Sequence, residues 1–312
     1  MDSRSFLYDL IMDVTVPLLV PHEARETYIQ NYRLITKDSG RLMLFAGDQK
    51  IEHLNEDFYG SAIHVDDNSP EHLFRIADEA DVGCLAVQLG LVSRYGADYP
   101  GITYLVKLNS KTHLVQTEQK DPFSSILSTV EDVIRVRNTG NLKIAGVGYT
   151  IYLGSEYEEK MLAQASQVIS EAQRYGLVTV LWIYPRGKAV KNEKDPHLIA
   201  GAAGVASALG ADFVKVNPPK KEGANSAELI REAVCAAGRT KVVCAGGSSV
   251  DVDVFLQQLY DQIHTGGCAG NATGRNIHQK SREEAVRMCK AISAITIQNA
   301  SAAEALNVYR GV

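Results

Sequence analysis

Val178-Thr179-Val180-Leu181-Trp182-Ile183-Tyr184-Pro185-Arg186-Gly187 is an apolar, β-branched run that closes on a Tyr-Pro-Arg-Gly turn. Its apolar side chains occupy successive rather than alternate positions, so both faces of the strand are covered. The next stretch, 196–209, has a helical period and opens with Asp195 ahead of Pro196, a capping residue before a first-turn proline. A second buried strand follows at Asp212-Phe213-Val214-Lys215-Val216. Strand, helix, strand in this order is a parallel crossover unit.

The same alternation extends outward in both directions. Strands are predicted at 42–46, 84–89, 104–108, 143–147, 178–183, 212–216 and 241–245, with a weak glycine-rich one at 264–270. Helical periods lie at 70–80, 124–137, 156–175, 196–209, 227–237, 252–263 and 281–303, several with cap residues such as Ser69, Asp195 and Ser281. Eight units predict an α/β fold, a (β/α)₈ TIM barrel spanning 41–312. A doubly wound open sheet is the competing architecture. It loses support because Gly47-Asp48-Gln49-Lys50 stands after the first strand, where a Gly-x-Gly-x-x-Gly turn would bind a dinucleotide. Residues 1–40 fit no such unit. Their helical patterns at 6–14 and 22–35 predict an N-terminal helical extension, either a lid over one barrel mouth or an oligomer contact.

The chain has 312 residues, with 32 Lys+Arg against 37 Asp+Glu for a net charge of −5. This mildly acidic balance, with no Lys/Arg block, argues against nucleic acid or an anionic membrane as partner. No apolar run approaches the roughly 18 residues of a membrane span. Asp2, Asp9 and Asp13 are unlike the basic start of a leader, so a cytoplasmic protein is expected. Five scattered cysteines with no two-residue pairing are expected as reduced, buried thiols.

Reacting groups in such a barrel sit at the C-terminal ends of strands. Lys215 interrupts an otherwise apolar strand, and a buried lysine is either ion-paired or functional. A desolvated amine with a lowered pKa can attack a carbonyl and form a Schiff base. Lys107, also on an inner position, either supplies a neighbouring positive charge or is itself paired. Period-2 geometry puts Trp182 and Tyr184 on one face of the adjacent strand, pointing where Lys215 points. A tyrosine there can move protons or simply fill the barrel top. Asp48 ends the first strand and can orient a substrate hydroxyl, or serve as a turn residue.

Two small-residue loops suggest a phosphate site. They are Ala245-Gly246-Gly247-Ser248-Ser249 after the seventh strand and Gly270-Asn271-Ala272-Thr273-Gly274-Arg275-Asn276 after the eighth. Backbone N–H groups at helix starts bind phosphate, and these two loops are its usual position in barrels. Arg275 would add a charge-assisted contact, unless a helix carboxylate such as Glu283 claims it. The eight histidines show no His-x-His or His-Glu-x-x-His grouping, so no metal is expected. Asp48, Glu52 and His53 lie close together but read as hydrogen-bonding groups at the barrel mouth.

Together, Trp182 to Gly187, Ala211 to Val216, the Gly-Gly after the seventh strand and Gly274-Arg275-Asn276 resemble the archaeal-type class I fructose-bisphosphate aldolases, relatives of deoxyribose-phosphate aldolase. The likeness covers about 41–303. It implies that Lys215 is the Schiff-base lysine and Tyr184 the proton-transfer residue, with Asp48 and Trp182 as companions. Gly246, Gly247, Ser248, Gly274 and Arg275 would hold phosphate, and Arg186, Lys107 and His53 would be further substrate contacts. The resemblance implies reversible cleavage of fructose 1,6-bisphosphate, no cofactor, a sugar phosphate as small-molecule partner and a homo-oligomer. One departure is Asp48-Gln49-Lys50, where many relatives have Asp-His-Gly, and it bears on substrate choice. Relatives with similar machinery include an aldol-type or transaldol-type synthase on another sugar phosphate. A noncatalytic sugar-phosphate-binding barrel is a further alternative, and Lys215 argues against it. So is a barrel isomerase, which would need a carboxylate or cysteine base in place of an imine-forming lysine.

Overall fold

In the computed structural model, which describes residues 14–53, 55–115 and 121–312, eight strands close into a barrel. They are β1 (Leu42–Ala46), β2 (Cys84–Gln88), β3 (Thr103–Lys107), β4 (Lys143–Leu153), β5 (Val178–Pro185), β6 (Phe213–Val216), β7 (Lys241–Ala245) and β8 (Gly270–Thr273). Every neighbouring pair is parallel, and β1 closes on β8 from Leu42 opposite Gly270 to Phe45 opposite Thr273. Around the barrel lie α2 (Glu71–Glu79), α3 (Leu89–Tyr95), α4 (Val130–Gly140), α5 (Glu158–Arg174), α6 (Pro196–Leu209), α7 (Ser226–Ala237), α8 (Val252–His264), α9 (Arg282–Thr296) and α10 (Ala302–Arg310). They follow α1 (Arg25–Thr36), which precedes the first strand. The predicted TIM barrel is the fold.

Strand residues of one parity face the helices and those of the other fill the barrel. The inner set includes Leu42, Leu44, Ala86, Leu105, Val180, Phe213 and Val243. Where the sequence reading missed, local chemistry explains why. The eighth strand lies at Gly270–Thr273, later than 264–270. Gly270 sits at φ +127, and a Cβ there would come 2.0 Å from the Leu42 carbonyl oxygen, so the apolar signal of a strand is replaced by a close backbone approach. The helix expected over 124–137 starts only at Val130, where Thr129 and Asp132 form a reciprocal capping box. Ahead of it, Ser125–Ile126 pairs antiparallel with Asn109–Ser110. The pattern over 281–303 is two helices, and a second capping box at Ser301 and Glu304 starts α10. Asp195 and Ser281 cap as expected, whereas Ser69 does not, because Pro70 is the N-cap of α2. All five cysteines are free thiols, and Cys235 is exposed rather than buried.

Helix α1 covers the N-terminal mouth of the barrel, the end remote from the strand C-termini. Tyr28 donates to the buried Asp212 carboxylate at 2.5 Å, and Asn31 donates to the Gly176 carbonyl at 2.8 Å. Tyr32 stacks on Phe213 with ring centroids 5.6 Å apart. The pattern at 6–14 lies outside the described residues, apart from Val14. No described helix is long and apolar enough to cross a membrane.

Thr179 gives Asp212 its other donors, through its backbone N–H at 2.7 Å and its hydroxyl at 2.9 Å. Tyr28→Phe therefore leaves a buried carboxylate one hydrogen bond short, and urea denaturation should show a loss of about 1 to 3 kcal/mol. Activity per folded molecule should stay at the wild-type level, because the substitution lies at the opposite mouth. An unchanged midpoint would show that this contact does not hold α1 in place.

Candidate active site

The inward positions near the strand C-termini carry polar groups where the rest of the barrel carries aliphatic ones. Trp182 on β5 is in register with Lys215 on β6, so the two side chains enter the barrel side by side. Tyr184 lies one inward position higher and pairs with Tyr152 of β4. The indole of Trp182 crosses the barrel because β4 has a glycine beneath it. A Cβ on Gly148 would come 2.4 Å from Trp182 Cζ3. Two amines flank the ring, Lys107 Nζ at 4.7 Å and Lys215 Nζ at 5.4 Å from its centroid.

The two lysines differ in their partners. Lys107 is fully buried and donates to Asp48 Oδ2 at 3.1 Å and Glu52 Oε1 at 3.0 Å. Burial pushes its amine down, but the two carboxylates outweigh that and hold it above the ordinary lysine value. Lys215 is 4% exposed and has neither an ion pair nor a hydrogen bond among the described residues. Burial lowers its pKa and the Lys107 charge reinforces this, against the opposite pull of Asp48 and Glu52. One buried amine is thus a fixed cation and the other is biased toward the free base. Burial alone would raise the Asp48 carboxyl, but Lys107 and Lys215 together bring it below the usual carboxylate range. Tyr184 is pushed well above the ordinary phenol value by burial and then by Asp48 and Glu52, so it retains its proton.

These groups lie around one cavity of about 200 Å³ at the C-terminal mouth. Of the predicted site residues, it brings together Lys215, Tyr184, Asp48, Trp182, Arg186, His53, Gly246, Gly247, Gly274 and Arg275. Lys107 lies behind the wall, behind Asp48 and Glu52. Ser248 is not on this cavity. It is exposed, and its carbonyl accepts from Asn276 at 3.1 Å. Asn276 also donates to the Gly246 carbonyl at 3.0 Å and accepts from Val250 N–H at 3.1 Å, which ties the β7 loop to the β8 loop. Arg275 pairs with Asp57 at 3.4 Å rather than with Glu283, and Asp57 Oδ2 lies 2.5 Å from His53 Nδ1. Arg186 is held by both oxygens of Glu193, each at 2.9 Å.

The sequence reading placed Glu52 at the barrel mouth only as a hydrogen-bonding group and gave no role to Gln49, Tyr152, His113 or Asn217, yet all five line the cavity. Glu52 was detectable, because four residues after Asp48 on the short helix Gln49–Glu52 is the same helical face. Tyr152 was hidden because β4 runs six residues beyond its expected end. Asp48 Oδ1, Trp182 Nε1 and Arg275 Nε are buried and have no partner among the described residues. Unmet hydrogen-bonding capacity of this kind on the wall of a cavity is capacity that a bound ligand can satisfy. Among the described residues, no group of three or more His, Cys, Asp or Glu converges as metal ligands.

A parallel barrel with a desolvated lysine, a protonated tyrosine and glycine-rich seventh and eighth loops defines a class, the imine-forming lyases. The comparisons with known proteins agree. Residues 42–280 match the model of the DeoC/LacD family aldolases. The chain is 60% identical over 96% of its length to a protein from Methanocaldococcus jannaschii named fructose-bisphosphate aldolase/6-deoxy-5-ketofructose 1-phosphate synthase, 95% of which is covered. It is 33% identical over 86% of its length to the class 1 fructose-bisphosphate aldolase of Thermoproteus tenax, covering 94% of that protein. Among solved structures, a fructose-bisphosphate aldolase from Slackia heliotrinireducens superposes with a TM-score of 0.94 at 59% identity, covering 96% of this chain and 95% of that one. An archaeal fructose-1,6-bisphosphate aldolase, with its catalytic lysine bound to a carbinolamine intermediate, superposes with a TM-score of 0.73 at 29% identity over 86% of this chain and 98% of that one. The chain therefore belongs to the DeoC/LacD family of aldolases, within the class I fructose-bisphosphate aldolase group, and is an aldehyde-lyase.

The contrast between the two lysines has a measurable consequence. Lys107→Met removes a cation that repels Lys215 and leaves Asp48 and Glu52 uncompensated. Both changes favour the ammonium form at position 215. The pH profile of imine formation, followed as the rate of borohydride-trapped adduct, should shift toward alkaline pH. An unchanged or acid-shifted profile would show that Lys107 does not set the protonation of Lys215.

Proposed function

We propose that this enzyme cleaves fructose 1,6-bisphosphate reversibly to dihydroxyacetone phosphate and glyceraldehyde 3-phosphate through an imine at Lys215. The observation that carries the reading is a buried, unpaired Lys215 amine beside a second lysine that two carboxylates hold as a cation. The free amine adds to the ketose carbonyl at C2, and loss of water leaves an iminium. Release of the C4 hydroxyl proton then breaks the C3–C4 bond. Its electron pair moves into an enamine on Lys215, and the aldehyde departs. Protonation of the enamine at C3 and hydrolysis of the imine free dihydroxyacetone phosphate and the lysine. Tyr184 transfers these protons, with its hydroxyl held protonated between turnovers. Asp48 Oδ1 and the Trp182 indole N–H supply an acceptor and a donor for substrate oxygens. Gly246, Gly247, Gly274 and Arg275 bind phosphate, so binding energy from a non-reacting group holds C2 over Lys215.

A second reading has specific support in the double name of the Methanocaldococcus jannaschii relative. The same enamine can be captured by a different aldehyde, which makes the enzyme a synthase of another ketose phosphate. Both readings use Lys215. They are separated by supplying dihydroxyacetone phosphate with a panel of aldehydes and comparing rates with that of bisphosphate cleavage.

In a product-detected cleavage assay, Lys215→Met should abolish turnover. Tyr184→Phe should lower kcat by roughly 10² to 10⁴ while leaving imine formation largely intact, since the ring remains and only the hydroxyl is lost. Turnover should also persist in excess EDTA. A Tyr184→Phe enzyme with near wild-type turnover would make this tyrosine a packing residue. Loss of activity in EDTA with rescue by zinc would replace the imine route with a metal-dependent one.

A further inference from the structure

A buried pair of ionisable residues, His278 and Asp67, plays no part in the imine chemistry, yet it reaches the cavity through one intermediate. His278 Nδ1 lies 2.7 Å from Asp67 Oδ2, and both side chains are fully buried. The other ring nitrogen, Nε2, lies 3.2 Å from Gln49 Oε1. Phe58 stacks flat on the imidazole, with centroids 4.7 Å apart at 9°, and His72 Nε2 hydrogen-bonds the His278 carbonyl at 3.1 Å. Ring plane and backbone are thereby fixed. Gln49 directly follows Asp48 and lines the cavity beside Gly274 and Arg275. Its amide occupies space that only a glycine at 274 leaves free, since a Cβ there would come 2.2 Å from Gln49 Oε1.

We propose that Gln49 is a substrate-contacting residue that reads the phosphate end of the sugar, and that His278 and Asp67 position it. The proposal rests on the ketose-phosphate reading above. Each ring nitrogen of His278 faces an oxygen, Asp67 Oδ2 on one side and Gln49 Oε1 on the other. With Oε1 occupied in this way, the amide N–H₂ is the edge that Gln49 offers to the cavity. A donor beside Gly274 and Arg275 suits an anionic oxygen rather than a sugar hydroxyl proton.

The test compares phosphorylated and plain substrates. In Gln49→Leu, KM for fructose 1,6-bisphosphate should rise about tenfold to a hundredfold, the scale of one hydrogen bond to a charged group. Borohydride trapping of unphosphorylated dihydroxyacetone should proceed at the wild-type rate. Gln49→Glu, which sets a carboxylate against phosphate, should raise KM further. His278→Gln sets an amide N–H₂ where the imidazole Nε2 stands, facing Gln49 Oε1, and should hold KM near wild type. His278→Asn, which can reach only Asp67, should behave like Gln49→Leu. An active wild type with Gln49→Leu unaffected, or impaired equally on both substrates, would overturn the role of Gln49. Equal KM values in the two His278 variants would overturn the positioning role. A wild type that neither cleaves the bisphosphate nor traps at Lys215 would overturn this proposal together with the aldolase reading.

Discussion

The ammonium of Lys107, locked between Asp48 and Glu52 inside the barrel, is the interaction on which the site depends. A cation fully removed from water is sustained only by close, hydrogen-bonded counter-charges, and both carboxylates lie within 3.1 Å. With the counter-charges committed to Lys107, the second buried amine is left without an anion of its own. Lys215 therefore carries the cost of burial in its protonation equilibrium and leans toward the free base. Both amines lie against the Trp182 ring, which takes up space that water would otherwise fill beside them.

The fold supplies this arrangement by parity and register. Inward positions at the C-terminal ends of β3, β5 and β6 bring Lys107, Trp182, Tyr184 and Lys215 together with Asp48, which stands at the N-cap of the short helix after β1, although Asp48 and Lys215 are far apart on the chain. The small residues are as necessary as the reactive ones. Gly148 lets the indole lie across the barrel, and Gly274 admits the Gln49 amide. Asn276 binds the β7 and β8 loops together, so the glycine-rich segments that face the cavity are held to one another.

Much of this was legible in the sequence, for identifiable reasons. A charged residue inside an apolar strand exposes itself, so Lys215 stood out, and period-2 geometry carried Trp182 and Tyr184 with it. Strand-helix alternation gave the barrel because each buried strand is a continuous apolar run. What stayed hidden depended on partners distant in the chain. Nothing local said whether Lys107 was a free cation or half of a buried pair, because Asp48 and Glu52 lie more than fifty residues away. The eighth strand was misplaced because Gly270-Asn271-Ala272-Thr273 lacks the apolar content by which strands are recognised. Arg275 lines the cavity, and the carboxylate beside it is Asp57 rather than the alternative Glu283, because the segment holding Asp57 is far away on the chain and only the closed barrel brings it near. Ser248 shared the composition of a phosphate loop yet does not line the cavity that holds Lys215.

The central claim is that, of the two buried amines, only Lys215 reacts. It is tested most directly by incubating the enzyme with dihydroxyacetone phosphate, reducing with borohydride and mapping the adduct by peptide mass spectrometry. The account predicts one modified site, on the peptide that carries Lys215, with Lys107 unmodified even at high substrate. An adduct on Lys107, or a reduced protein of unchanged mass, would contradict it.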